Sequence, residues 1–128
     1  MFNTPKVLIV DDSASSSQFM SQALRRAGYQ VITAADGNEG LQKTFQERPH
    51  CLVLDVVLPG VSGYGICRQL RAVDPQHTLP IIMVSSKTTK MDQTWGLRQG
   101  ADRYLPKPFT EEEFVQTVQE VLMEHQQV

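Results

Sequence analysis

Along the chain, short apolar runs alternate with stretches in which apolar residues recur every three or four positions. The runs predict strands over Lys6–Val10, Gln30–Ala34, Cys51–Asp55, Pro80–Val84 and Arg103–Leu105. Three of them, VLIV, CLVL and IIMV, are continuously apolar, as expected of parallel strands covered on both faces. Helical periodicity fills the intervals. Ser13–Ala27 places Met20, Ala23, Leu24 and Ala27 on one face and stops at Gly28, which suits the position after a helix end. Asp36 can cap the second helix, with Glu39 three residues on and Leu41 and Phe45 four apart. Ser62–Val73 carries Ile66, Leu70 and Val73. Thr88–Gln99 is the weakest segment, because Gly96 in its interior costs about 1 kcal/mol relative to alanine. In the last helix Thr110 and Glu113 fit a capping box, Phe114, Val118, Val121 and Leu122 share a face, and the end falls near Glu124.

The order is a strand and a helix repeated five times, which implies a parallel sheet with right-handed crossovers and helices on both faces. The expected fold is α/β, a flavodoxin-like doubly wound (βα)5 unit with a five-stranded parallel sheet in the order 2-1-3-4-5. Ligands bind such sheets outside the carboxyl ends of the strands, at the switch point between the first and third strands. A single domain over residues 1–128 is expected, with no room after the last helix for a linker and an output domain.

Composition narrows the classes. The chain has 128 residues, 41% hydrophobic and 20% charged, which suits one globular domain with a real core. A net charge of −2, from 12 basic and 14 acidic residues, gives no electrostatic case for nucleic acid or an anionic membrane. MFNTPK lacks the basic and apolar regions of a signal peptide, and no apolar run approaches ~20 residues, so a cytoplasmic location is expected. Cys51 and Cys67 match no metal or redox spacing and read as buried free thiols.

The chemistry collects at the predicted strand ends. Asp11 and Asp12 follow the first strand, Asp55 ends the third, Ser85 follows the fourth, and the fifth runs into Lys107-Pro108. Singly these have ordinary uses: a helix cap, a turn serine, a solvated lysine. The expected topology would bring all of them to one edge. Three close carboxylates raise one another's pKa values unless a cation neutralises them. Hard oxygen ligands without histidine or cysteine point to Mg²⁺. Lys107 adds a point charge, Ser85 a hydroxyl donor and a carboxylate the nucleophile, which together are the parts of a phosphoryl-transfer site.

LIVDDS, LVLDVVLPGVSGYG, IIMVSS and GADRYLPKPF, in this order, resemble the receiver domain of bacterial two-component response regulators over essentially the whole chain. The resemblance implies that Asp55 is the phosphoacceptor, taking the phosphoryl group of a histidine kinase's phosphohistidine as an acyl phosphate. It implies Mg²⁺ held by Asp12, Asp55 and the main-chain carbonyl of Val57, with Asp11 acting through water or supporting that shell. Lys107 would contact the phosphoryl group and Asp55, and the Lys107–Pro108 bond would be cis. Ser85 would swing towards the phosphoryl oxygen and Tyr104 would rotate inward behind it. Leu58-Pro59-Gly60 would be the loop beside the phosphorylation site. Val57 and Lys87 sit where receivers vary and tune phosphate lifetime. An apolar Val57 cannot orient water, which implies slow autodephosphorylation. The implied partners are a histidine kinase and a downstream protein that docks on the face of the fourth helix, fifth strand and fifth helix. A monomer or a weak phosphorylation-dependent dimer is expected. WGLRQGADRYLPKP, residues 95–108, is similar to single-domain regulators of chemotaxis-like systems that control type IV pili and twitching motility. Trp95 in that segment either packs on its own helix surface or contacts a partner.

Other functions compete. A stand-alone receiver relays signal by docking or drains phosphate from a shared kinase, and is not a multiple-turnover enzyme. A small aspartyl-nucleophile phosphatase would want a second acid two residues after the nucleophile, where this chain has Val57. A flavin-binding relative would want a phosphate-cradling loop after the first strand, but DDSAS is acidic. A pseudo-receiver normally lacks an acid or the lysine, and here all are present.

Overall fold

The computed structural model describes residues 4–126. The first three residues of the segment read for a leader, and residues 127–128, lie outside the described residues. Strands β1 (Lys6–Val10), β2 (Gln30–Ala34), β3 (Cys51–Asp55), β4 (Ile81–Ser85) and β5 (Arg103–Pro106) form one parallel sheet in the order β2-β1-β3-β4-β5. Helices α1 (Ala14–Arg26), α2 (Gly37–Glu47), α3 (Gly63–Val73), α4 (Lys90–Arg98) and α5 (Glu111–Gln126) alternate with the strands. The expected fold and strand order are therefore observed. No helix among the described residues is long and apolar enough to cross a membrane.

Successive side chains of a strand point to opposite faces, so each continuous apolar run feeds two cores. Val7, Ile9, Val53, Ile82 and Val84 meet Met20 and Leu24 of α1 and Phe114, Val118 and Val121 of α5 on one face. Leu8, Val10, Leu52, Leu54, Ile81 and Met83 meet Ile66 and Leu70 of α3 on the other. The parallel register sets Val10 beside Leu54 and Asp55 beside Val84, which aligns the carboxyl ends of the central strands. Cys51 and Cys67 are free and buried, as expected. Burial pushes the Cys67 thiol up to about 11, far from a reactive thiolate.

Side chains cap the helix starts, those at Asp36 and Thr110 as expected. Ser13 accepts from Ser16 N, Asp36 from Glu39 N, and Thr110 and Glu113 exchange side-chain bonds with each other's backbone N–H. Gly28 has φ +96°, the left-handed conformation that follows α1.

Several boundaries and faces differ from expectation. The fourth strand runs Ile81–Ser85 rather than Pro80–Val84, and the fifth extends to Pro106, because Ser85 and Pro106 pair at the sheet end. The fourth helix starts at Lys90 because Thr89 caps it, with Asp92 completing a capping box. The fifth helix continues past Glu124 to Gln126. Phe45 is 56% exposed and Val73 69% exposed, so neither belongs to the apolar face that its spacing implied. Helix α2 instead approaches the sheet through Gly40, where a Cβ would lie 2.9 Å from both methyls of Val10. Gly96 corrects the reading of it as a weakness in α4. A Cβ there would meet the Tyr104 ring at 2.7 Å and Met83 Sδ at 2.9 Å, so glycine lets α4 lie close on β4 and β5.

Candidate functional site

The sheet order places β1, β3 and β4 side by side, and their carboxyl ends deliver the acidic residues to one edge. Asp11 continues β1 by donating its N–H to Ala34 O at 3.1 Å. Asp55 ends β3 opposite Val84, and Ser85 ends β4. Lys107 N–H donates to Ser85 O at 2.8 Å, fixing the lysine's start beside β4, and the Lys107–Pro108 peptide is cis. Ligand atoms of Asp11, Asp12 and Asp55 lie within 4.8 Å of one another.

The ammonium of Lys107 bridges two of these acids. Its Nζ donates to Asp11 Oδ2 at 2.9 Å and to Asp55 Oδ2 at 3.2 Å. The second oxygens are engaged as well: Asp11 Oδ1 accepts from Ser13 N at 2.9 Å, and Asp55 Oδ1 accepts from Val57 N at 3.1 Å. Asp12 is exposed, and of the three acids it alone makes no bond to Lys107. Burial raises the Asp55 pKa above the usual carboxylate value and the Asp11 charge adds to this, while Lys107 and the Val57 N–H oppose it. Burial would lower the Lys107 pKa, but its bond to Asp11 and the charges of both acids outweigh that and hold it above the usual lysine value.

The donor set fits a hard divalent cation. It offers only carboxylate oxygens, one of its acids faces solvent, and among the described residues no histidine or cysteine joins the cluster. One ammonium cannot balance three neighbouring carboxylates, so the edge keeps an excess of negative charge.

Ser85 is fully buried at the end of β4, and its Oγ accepts from Lys87 N at 3.1 Å. Tyr104 sits on β5 with its ring beneath α4, and its hydroxyl donates to Lys87 O at 2.6 Å. In this structure the hydroxyl is thus engaged at the β4–α4 loop. Burial pushes the Tyr104 pKa up to about 12, so it stays a donor. Val57 is exposed on the loop after β3, with its N–H turned to Asp55. Trp95 is half-exposed on α4.

Three contributors escaped the sequence reading. Lys107 holds Asp11 more closely than Asp55, a pairing across 96 positions with no local signal. Ser13 caps α1 and also turns its N–H onto Asp11, a short Asx-type turn that the spacing of Asp11 and Ser13 could have revealed. Gly63 is the third. A Cβ there would lie 2.2 Å from Asp55 O and 2.8 Å from Val56 Cα, so only glycine lets α3 start against the Asp55 backbone.

Residues 7–119 match the response regulator receiver domain family. Protein PilH of Pseudomonas aeruginosa is 38% identical over 117 residues, covering 91% of this chain and 97% of that protein. The alkaline phosphatase synthesis transcriptional regulatory protein PhoP of Bacillus subtilis is 42% identical over 117 residues, covering 91% of this chain and 48% of that protein. The chain thus spans about half the length of the Bacillus relative. Among solved structures, a putative response regulator from Chloroflexus aurantiacus aligns with TM-score 0.89 and 37% identity, covering 94% of this chain and 99% of that one. Vibrio cholerae chemotaxis protein CheY4 aligns with TM-score 0.86 and 37% identity, covering 93% and 99%. Sequence and fold agree over the same span that builds the acidic edge, and the chain belongs to the response regulator receiver domain family.

Proposed function

We propose that this chain works as a stand-alone response regulator that accepts a phosphoryl group from a histidine kinase on Asp55. The observation that carries the reading is the convergence of Asp11, Asp12 and Asp55 within 4.8 Å, with Lys107 reaching two of them. In the proposed reaction an Asp55 carboxylate oxygen attacks phosphorus. The P–N bond to the kinase imidazole breaks, its electron pair returns to the ring, and an acyl phosphate remains. Asp12, Asp55 and the Val57 carbonyl would hold Mg²⁺, with Asp11 supporting them through water. Bound there, Mg²⁺ would supply positive charge to the phosphoryl oxygens and the carboxylates. Lys107 would move its donors from the acids to a phosphoryl oxygen. It starts from 2.9–3.2 Å contacts on the same edge.

Ser85 would turn its hydroxyl from Lys87 N to the phosphoryl group. Tyr104 would leave Lys87 O and fill the space behind Ser85, biasing the α4, β5 and α5 face where a downstream protein docks. Exposed Val57 offers no polar group to position water, which supports slow autodephosphorylation. The step modifies the chain itself and is not a multiple-turnover enzyme reaction. A cytoplasmic monomer, or a weak dimer on phosphorylation, suits this role, as does a single domain. Service in a chemotaxis-like system that controls pilus-based motility is supported by the sequence resemblance and by alignment along nearly all of PilH. Phosphate drainage from a shared kinase would use the same site. A phosphatase role is disfavoured, because Val57 occupies the place of a second acid.

The test is incubation with Mg²⁺ and acetyl phosphate, following intact mass and the fluorescence of Trp95, the sole tryptophan. The protein should gain one phosphoryl group and change its emission. Absence of both from folded protein would refute the reading. Asp12→Ala should weaken Mg²⁺ binding more than it weakens folding.

A further inference from the structure

Helix α4 carries apolar surface on the side that faces α3. Met91 is 82% exposed and Trp95 48% exposed. With Tyr64 of α3 they line a groove of about 490 Å³, flanked by Lys90 and Arg98. Tyr64 fixes the opposite wall by donating its hydroxyl to Asp92 O at 3.3 Å. The Asp92 carboxylate does not answer these cations, because its Oδ2 accepts from Thr89 N and Oγ1 in the helix cap.

The charge around this groove is lopsided. Of the 12 basic residues, Lys6, Arg26, Lys43, Arg71, Arg103 and Lys107 have acidic partners among the described residues. The other six are Arg25, Arg48, Arg68, Lys87, Lys90 and Arg98. Lys90 and Arg98 border the groove. Arg68 reaches across to Gln99 Oε1 at the end of α4, and Lys87 lies in the loop that leads into it. Two of the six cations without an acidic partner among the described residues therefore line this one apolar groove, in a chain whose net charge is −2.

We propose that the α3–α4 groove is a docking site for an acidic amphipathic protein helix, separate from the α4, β5 and α5 face. Apolar anchors spaced at i and i+3 or i+4 would cover Met91 and Trp95, and flanking carboxylates would meet Lys90 and Arg98. Aromatic and arginine side chains of this kind carry much of the energy in protein interfaces. The overall negative charge disfavours a long polyanion such as nucleic acid, whereas a short segment avoids the acidic sheet edge. The proposal goes beyond phosphoryl transfer and does not depend on it, so its test uses the unphosphorylated chain.

The probe is a labelled helical peptide of leucine and glutamate without tryptophan, followed by anisotropy, with Trp95 emission reporting the location. Binding should shift Trp95 emission and should weaken as salt rises from about 20 to about 300 mM. Trp95→Ala and the Lys90→Glu/Arg98→Glu pair should each weaken it about tenfold or more. Arg25→Glu, which reverses an unpaired cation on α1, should leave affinity within about twofold. Four results would each overturn the proposal. They are no binding, equal binding of a leucine–lysine peptide, equal loss in Arg25→Glu, and equal affinity for an oligothymidylate.

Discussion

Gly63→Ala should separate the placement of Asp55, the proposed phosphoacceptor, from the ordinary stability of α3. The added Cβ would lie 2.2 Å from Asp55 O and 2.9 Å from Asp55 C, where ordinary contacts begin at 3.4 Å. All the nearest atoms are backbone, so no side chain can swing away. Relief needs a shift of about 1 Å in the end of β3 or the start of α3, with an overpacking cost of about 2–3 kcal/mol. Alanine's better helix propensity recovers less than about 1 kcal/mol of that. A displacement of that size at a reacting carboxylate slows transfer about a hundredfold. Gly65→Ala is the control on the same helix. Its nearest atoms, Val61 Cγ1 at 3.2 Å, Ser62 Oγ at 3.7 Å and an Arg68 nitrogen at 3.8 Å, all belong to side chains. Urea unfolding should show Gly63→Ala destabilised and Gly65→Ala within about 0.5 kcal/mol of wild type or better. Stopped-flow phosphorylation by acetyl phosphate should be slowed only in Gly63→Ala. Equal stabilities with equal phosphorylation rates would refute the close-approach argument.

Lys107→Met should destabilise the metal-free protein by about 2–3 kcal/mol, because it leaves Asp11 and Asp55 facing each other without their shared ammonium. Urea unfolding in chelator should show the loss, and an unchanged midpoint would contradict the bridge. Asp74 should give an acid-side signature. Burial raises its pKa, but the bonds from Thr78 and Leu79 and the Arg71 charge outweigh that and hold it below the usual value. Its contribution is therefore complete above the unfolded value of about 4 and is lost as pH falls through the folded value. The stability advantage of wild type over Asp74→Asn should be constant above about pH 5 and shrink below about pH 4, and an advantage that grows on acidification would refute the sign. Val57→Asn should shorten the acyl-phosphate half-life, measured by loss of the phosphorylated mass, and an unaltered half-life would remove the argument from water positioning.

The alternation of strands and helices was legible because each central strand is apolar on both faces and two helices announce their starts with Asp36 and Thr110. The acidic edge was legible because topology converts strand ends into neighbours, so Asp11, Asp12 and Asp55 could be joined without any local motif. Glycine contacts were not legible. Gly40, Gly63 and Gly96 are sites where absence of a side chain is the packing feature, and apolar periodicity is blind to absence. Phe45 and Val73 show the converse, apolar residues in helical register that face solvent. Arg71 also gave no signal. It is buried at the other end of the sheet, where its guanidinium binds Asp74, Asp102, Leu79 O and Gly100 O. Only folding brings Gly100 and Asp102 within its reach, across 29 and 31 positions.

The central claim is that Asp55 takes the phosphoryl group and that the acids around it make the step dependent on Mg²⁺. Peptide mapping after incubation with acetyl phosphate and Mg²⁺, with the acyl phosphate trapped by borohydride reduction, tests it most directly. The account predicts one modified residue, Asp55, no modification in chelator, and none in Asp55→Asn. A phosphoryl group on another residue, or full modification of Asp55→Asn, would contradict it.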